Sequence, residues 1–268
     1  MTPDELKNYM ATHHESDFLL VDVRQPEEYG KEHIPGAKLC PIMTYVAGLY
    51  EQPGDRDLIF YCQSGGRSAA AAALAIEEKV TTRDVHYLTG GIEAWEDRTL
   101  PDFPKISIFD LSGTQEELLR TAMDLEKGAL RYYDHVAKRF AGKSFAGVFS
   151  RLAEAENAHA RTVYDVWCRM VDEPPPFETI FQELKGHILE GGEDLKKMLK
   201  RVISIKSDTC MILIELGLLI ENAALDLYKA MADQTVDRHT KKAFLAIAQA
   251  EKAHMKILLG QIEKCAQT

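Results

Sequence analysis

The sequence has no C-x-x-C pair, no excess of basic residues and no long apolar run. Without cysteines paired at metal spacing, a zinc ribbon or a rubredoxin-like iron site is excluded. Lys and Arg number 32 against 42 Asp and Glu, a formal net charge of −10. That balance argues against a nucleic-acid partner, which needs a basic face for phosphates. No stretch reaches the roughly 18 apolar residues of a membrane-spanning helix. The first ten residues, MTPDELKNYM, lack the apolar segment of a secretory leader. The expectation is a cytoplasmic protein with neither a membrane nor a nucleic-acid partner. The five cysteines, Cys40, Cys62, Cys168, Cys210 and Cys265, are odd in number and irregularly spaced. They predict no disulfide framework: four read as buried thiols of a reducing compartment, and Cys62 stands apart.

What is present suits two ordinary cores: 268 residues, 46% hydrophobic and 28% charged. Residues 1–100 alternate short β-rich runs with helical ones. Thr2 caps and Pro3 opens a helix to about His14. FLLVDV (18–23), residues 38–42, DLIFYC (57–62) and DVHYL (84–88) read as strands, and 67–78 as an Ala-rich helix. Such alternation predicts an α/β domain with a parallel sheet covered by helices on both faces. Residues 101–113, with Pro101, Pro104 and Gly113, read as a linker. From Thr114 to 268 the strand signal ends, and helices are expected at about 114–141, 144–171, 207–233 and 238–265. Thr114 with Glu117 forms a capping-box pattern, and Pro174, Pro175 and Pro176 end the second helix. The stretch 177–203, containing Gly191 and Gly192, reads as a long crossover between helices two and three. One long crossover in an all-α four-helix bundle is the ferritin-like arrangement.

In the first half, one strand runs directly into Cys62-Gln63-Ser64-Gly65-Gly66-Arg67-Ser68, and a helix follows. Loop amides and a helix N-terminus favour a thiolate there, Arg67 adds positive charge, and the glycines let the loop curl inward. A thiolate so held can attack a sulfane sulfur and keep it as a persulfide. The half resembles a single-domain rhodanese. Asp22-Val23-Arg24, Glu27-Glu28-Tyr29 and His33-Ile34-Pro35-Gly36-Ala37 resemble that family's first signature, and Gly90-Gly91-Ile92 with Ala94-Trp95 its closing one. The resemblance implies Cys62 as sulfur carrier and Arg67 as the residue closing its loop. Gln63, Ser64, Gly65, Gly66 and Ser68 would contact the substrate, with Asp22 and Arg24 bracing the site. It also implies a small sulfur donor and a thiophilic acceptor. The C-x4-R spacing is one residue shorter than the C-x5-R loop of related phosphatases and suits one sulfur atom. Against sulfur transfer stands a domain kept only for binding; such domains often lose the cysteine, which is present here.

In the second half, two histidines have a glutamate three residues before them, Glu156-x-x-His159 and Glu251-x-x-His254. On a helix, i and i+3 share a face. A shift of 95 positions carries Glu126 onto Glu221, Tyr133 onto Tyr228, Glu156 onto Glu251 and His159 onto His254. This is a duplicated helical hairpin. Four carboxylates and two imidazoles in this pattern are the ligand set of di-iron and di-manganese bundles, whereas the bland reading is a solvated acidic face. Tyr133 and Tyr228 read equally as hydrogen-bond donors to ligand carboxylates or as core residues. The half resembles the rubrerythrin branch of the ferritin-like superfamily. By that resemblance Glu126, Glu156, His159, Glu221, Glu251 and His254 hold two iron ions, with manganese or zinc as other occupants, and the centre reduces peroxide. The resemblance and the apolar run Met211 to Ile220 imply a homodimer. Two departures stand out. A further Glu, which many rubrerythrins carry one turn after the helix-three ligand, is Ala224 here. No rubredoxin domain supplies electrons, which leaves the donor unknown. The alternative is a sulfurtransferase whose helical domain binds metal for sensing or assembly without catalysis.

Overall fold

Thr2 and Glu5 begin the first helix by reciprocal capping. The Glu5 amide donates to the Thr2 hydroxyl at 3.3 Å, and the Thr2 amide donates to the Glu5 carboxylate at 2.7 Å. Pro3, which has no N–H to lose, takes the first helical position. The computed structural model describes residues 1–45 and 55–265, and it divides into two units, Met1–Phe103 and Pro104–Thr268.

In the first unit the elements are α1 (Pro3–Thr12), β1 (Phe18–Asp22), α2 (Pro26–Lys31), β2 (Lys38–Leu39), β3 (Asp57–Tyr61), α3 (Gly66–Glu77) and β4 (Val85–Tyr87). The four strands are parallel in the order β2-β1-β3-β4. Both central strands are buried throughout, as a sheet with two covered faces requires. Side chains alternate between those faces. Leu19, Val21, Leu58 and Phe60 pack with Ala71, Ala72 and Ala75 of α3, while Phe18, Leu20, Ile59 and Tyr61 pack with Leu6 and Tyr29. The chain leaves β1 at Asp22 and β3 at Cys62 on the carboxyl edge of the sheet, where open parallel sheets place their ligands.

The second unit contains α4 (Gln115–Arg139), α5 (Ala146–Trp167), α6 (Phe177–Glu183), α7 (Leu195–Ser204), α8 (Thr209–Gln234) and α9 (Arg238–Cys265). Thr114 and Glu117 cap α4 reciprocally. Its buried stripe, from Leu118 through Ala122, Leu125, Glu126, Ala129 and Tyr133 to Val136, has the spacing of one helix face. The helices α4 and α5 pack along each other, as do α8 and α9, and α5 also packs on α9. The connection between the hairpins, which includes α6 and α7, is fastened to α4 by polar side chains. The Lys185 and Gly186 amides donate to Asp124 Oδ1 at 2.6 and 2.9 Å. Lys127 Nζ donates to the Leu184 carbonyl at 2.8 Å, and Arg131 donates to the Lys185 and Gly186 carbonyls at 2.6 and 3.0 Å.

One expectation is overturned. Cys210 and Cys265 form a disulfide, with Cα atoms 5.4 Å apart and a sequence separation of 55. Cysteine spacing gives no sign of it. The cause is the antiparallel α8–α9 hairpin, which sets residues equally far from its turn opposite one another. Cys40, Cys62 and Cys168 are free. Among the described residues no helix is long and apolar enough to cross a membrane.

Candidate functional site

Cys62 lies at the end of β3 and is 1% exposed. The loop turns at Gly65, whose φ of +100° is left-handed; a Cβ there would lie 3.2 Å from the Gly90 nitrogen. This turn aims backbone amides at the sulfur. The Gly65 and Ser68 N–H groups donate to Cys62 Sγ at 3.2 and 3.4 Å, and the Ser68 hydroxyl lies 3.5 Å from it. Burial pushes the thiol up, but the Ser68 hydroxyl and the amides of Ser68, Gly65 and Ser64 outweigh it. The Cys62 pKa is lowered. Cys40 is the internal contrast: it is buried too, and burial, opposed only by Lys38, raises its pKa.

A second loop holds the first in place. The Ile92 and Glu93 amides donate to the carbonyls of Cys62 and Gln63 at 2.8 and 3.1 Å. Gly91, at φ +61°, must be glycine, because a Cβ there would lie 2.4 Å from both carbonyl oxygens. Arg67 spends its fork on Glu28, with both nitrogens 2.7 Å from the two carboxylate oxygens. Hydrogen bonding to Arg67 holds the Glu28 carboxyl down at about 2. Asp22 and Arg24 form a buried pair at 2.7 Å. Arg24 also donates to the Glu32 carbonyl at 2.6 Å and reaches Gln63 Oε1 at 3.3 Å. The pair thereby ties β1 to the loop that carries the sulfur. Gly66 opens α3.

In the second unit all six candidate ligands converge. Glu126 comes from α4, Glu156 and His159 from α5, Glu221 from α8, and Glu251 and His254 from α9. Each Glu is 0–1% exposed. His159 Nδ1 lies 3.2 Å from Glu126, 3.1 Å from Glu156 Oε2 and 3.4 Å from Glu251 Oε1. His254 Nδ1 lies 3.1 Å from Glu221, 3.3 Å from Glu156 Oε1 and 3.0 Å from Glu251 Oε2. Glu156 and Glu251 thus each turn one oxygen toward each histidine, the disposition of two bridging carboxylates. The imidazoles stack at 4.8 Å. The tyrosines cross between hairpins: Tyr133 donates to Glu221 Oε1, and Tyr228 donates to Glu126 Oε1.

The cluster is costly as it stands. Burial raises the pKa of Glu126 to about 8, and burial then Glu251 raise that of Glu221. The histidines, although burial lowers them, are raised overall by the carboxylates around them. Glu156 Oε2 and both oxygens of Glu251 are buried without an aligned hydrogen-bond donor, despite the nearby imidazole nitrogens. Lone pairs converging on shared points, with oxygen and nitrogen donors only, fit divalent cations of the iron, manganese and zinc kind. Glu156, His159, Glu251 and His254 offer ligand atoms within 4.8 Å of one another, and so do Glu126, Glu156 and Glu190. Glu190 is not among the residues that the helical repeat singles out. Its one signal in the sequence is a lone acid between an apolar stretch and Gly191-Gly192.

Residues 2–98 match the family model for the rhodanese-like domain, and residues 117–201 match that for rubrerythrin. The second match ends before α8, so Glu221, Glu251 and His254 lie beyond it. Over 104 residues the chain is 38% identical to the "Probable adenylyltransferase/sulfurtransferase MoeZ" of Mycobacterium tuberculosis, covering 38% of this chain and 26% of that protein. The chain thus spans about a quarter of that relative's length. Over 85 residues it is 40% identical to a sulfurtransferase of Allochromatium vinosum, covering 32% of this chain and 78% of that one. A solved rhodanese-like domain protein from Staphylococcus aureus aligns at 31% identity and a TM-score of 0.34, covering 38% of this chain and 96% of its own.

Proposed function

For a chain that belongs to the rhodanese-like family through residues 2–98 and to the rubrerythrin family through residues 117–201, we propose two activities: sulfane-sulfur transfer through a Cys62 persulfide, and peroxide reduction at a di-iron centre. The observation that carries the first is the cradle around a buried thiol: the Gly65 and Ser68 amides donate to Cys62 Sγ, and the Ser68 hydroxyl lies beside it. The Cys62 thiolate attacks the outer sulfur of a donor such as thiosulfate. A new S–S bond forms, the donor's S–S bond breaks, and sulfite leaves with the electron pair. A thiophilic acceptor then takes the terminal sulfur and returns the thiolate. The loop amides and Ser68 stabilise anionic sulfur at both stages, while Arg67 and Glu28 fix the start of α3. Gln63, Ser64, Gly65 and Gly66 shape the pocket, and Asp22 and Arg24 hold its floor.

For the second activity, Glu126 and His159 would help hold one ion and Glu221 and His254 the other, and Glu156 and Glu251, which face both histidines, would serve both. Bound iron would supply the two electrons that peroxide reduction needs, replenished by an external donor. Tyr133 and Tyr228 hold the terminal carboxylates in position from the opposite hairpin, and the burial of the cluster keeps bulk water out. We propose that the protein is a homodimer formed through the helical unit. The test is paired. Thiosulfate:cyanide sulfur transfer is expected to vanish in Cys62→Ser, and anaerobically reconstituted diferrous protein is expected to consume hydrogen peroxide in both forms. Sulfur transfer that survives in Cys62→Ser contradicts the first activity. Peroxide left unconsumed contradicts the second and leaves a helical unit that binds metal without turnover.

A further inference from the structure

The six-residue cluster obeys the internal repeat, but a seventh acid beside it does not. Glu190 belongs to the connection between the hairpins, which has no counterpart in the second repeat. It is 1% exposed, and its Oε2 is buried with no hydrogen-bond partner. Its carboxylate comes within 4.8 Å of ligand atoms of both Glu126 and Glu156, the two acids that approach His159 Nδ1 at 3.2 and 3.1 Å. A lone acid placed there costs free energy unless something binds it.

The chain is built to bring it there. Gly128, two residues after Glu126, lets the connection touch α4, since a Cβ would lie 2.1 Å from the Ile188 carbonyl oxygen. Gly191 does the same against α8, where a Cβ would lie 3.1 Å from Ala223. Between these contacts, the Leu189 amide donates to the Glu193 carbonyl at 2.9 Å and the Gly192 amide to the Leu189 carbonyl at 2.8 Å. The resulting tight turn fixes where Glu190 points. Asp124, Lys127 and Arg131 then fasten the preceding residues. Their repeat counterparts are Leu219, Asn222 and Asp226, so the second hairpin lacks the same fastening.

We infer that Glu190 is a seventh metal ligand, supplied by the connection to the position beside His159 alone, so that the two ions of a symmetric-looking site are chemically inequivalent. This rests on the metal-binding reading above. The carboxylate adds a fourth acidic oxygen donor at that position, beside those of Glu126, Glu156 and Glu251, and leaves the His254 position with its original set. An ion there gains an anionic donor, which favours a hard divalent cation and tightens its binding relative to its neighbour.

The test uses the full chain and ferrous ion under anaerobic conditions. Calorimetric titration of the wild type is expected to resolve two ions of unequal affinity. In Glu190→Gln, which keeps size and shape, one affinity is expected to fall about ten-fold or more while the other holds. Mössbauer spectra of the wild type loaded with ⁵⁷Fe should show two ferrous doublets of equal area that draw together in the variant. If Glu190→Gln folds poorly, the wild-type crystal structure with an anomalous map decides, with a Glu190 oxygen bonded to the ion beside His159. Two ions with matching isotherms in wild type and variant, or a Glu190 oxygen beyond bonding reach, overturns the inference and leaves the six-ligand site intact. A wild type that binds no metal overturns both.

Discussion

At the scale of single residues, two buried thiols of one domain are driven in opposite directions. Cys40 and Cys62 share an apolar core, yet only Cys62 accepts hydrogen bonds from the loop amides. Reactivity therefore follows donors and not exposure. Alkylation of the full chain by iodoacetamide is expected to modify Cys62 with a midpoint below that of an ordinary thiol, and Cys40 only well above it. Ser68→Ala removes the hydroxyl that does most to lower it, so its Cys62 midpoint should move upward. An unchanged midpoint would show that the hydroxyl does not matter. The Tyr133 hydroxyl carries the parallel case in the helical unit. Tyr133→Phe leaves Glu221 with one donor fewer, at a cost of about 1–3 kcal/mol in a buried site. It should also weaken metal binding about ten-fold, read by chelator competition. The residue types of both sites are legible in the sequence because motifs name them. Their partners are not: Glu28 for Arg67, and the opposite-hairpin glutamates for the tyrosines, are set by tertiary packing.

At the scale of elements, the glycine loop at 90–92 and the connection at 184–192 do similar work. Each presses backbone against backbone to aim a functional group. Gly91→Ala must place a Cβ 2.4 Å from two carbonyl oxygens at a positive φ. The backbone strain alone costs about 1–3 kcal/mol. The expected outcome is a lowered melting temperature together with lost sulfur loading of Cys62 by mass spectrometry; retained loading would show that the loop does not depend on this contact. The long helices and the strands fall within a few residues of their expected places, because period and caps mark them: Thr114 and Glu117 begin α4 as their pattern predicts; the short helices α2, α6 and α7 are not among those expected. The connection is less legible. Its purpose depends on what Gly128 and Gly191 allow to approach, and a lone acid such as Glu190 looks in sequence like any loop residue. The Cys210–Cys265 pair is hidden for the same reason, since only the α8–α9 hairpin brings its ends together. Denaturing thiol titration without reductant is expected to find three free thiols, Cys40, Cys62 and Cys168, and five would contradict the pairing.

At the scale of the whole molecule, two units with separate cores carry a cysteine loop and a carboxylate–histidine cluster, and metal should stabilise only the second. A ligand present at 100 times its Kd adds about 2.7 kcal/mol to the folded form that binds it. Chelation should therefore lower the melting transition of the helical unit and leave the other in place. Whether the helical unit holds two metal ions is read in its metal content. After anaerobic reconstitution with ferrous iron and removal of excess, the wild type is expected to retain two irons per chain. Cys62→Ser should match it, and Glu156→Ala and Glu251→Ala, each missing a carboxylate that faces both histidines, should retain clearly less. One iron or none in the wild type, or full retention in both glutamate variants, would contradict the account.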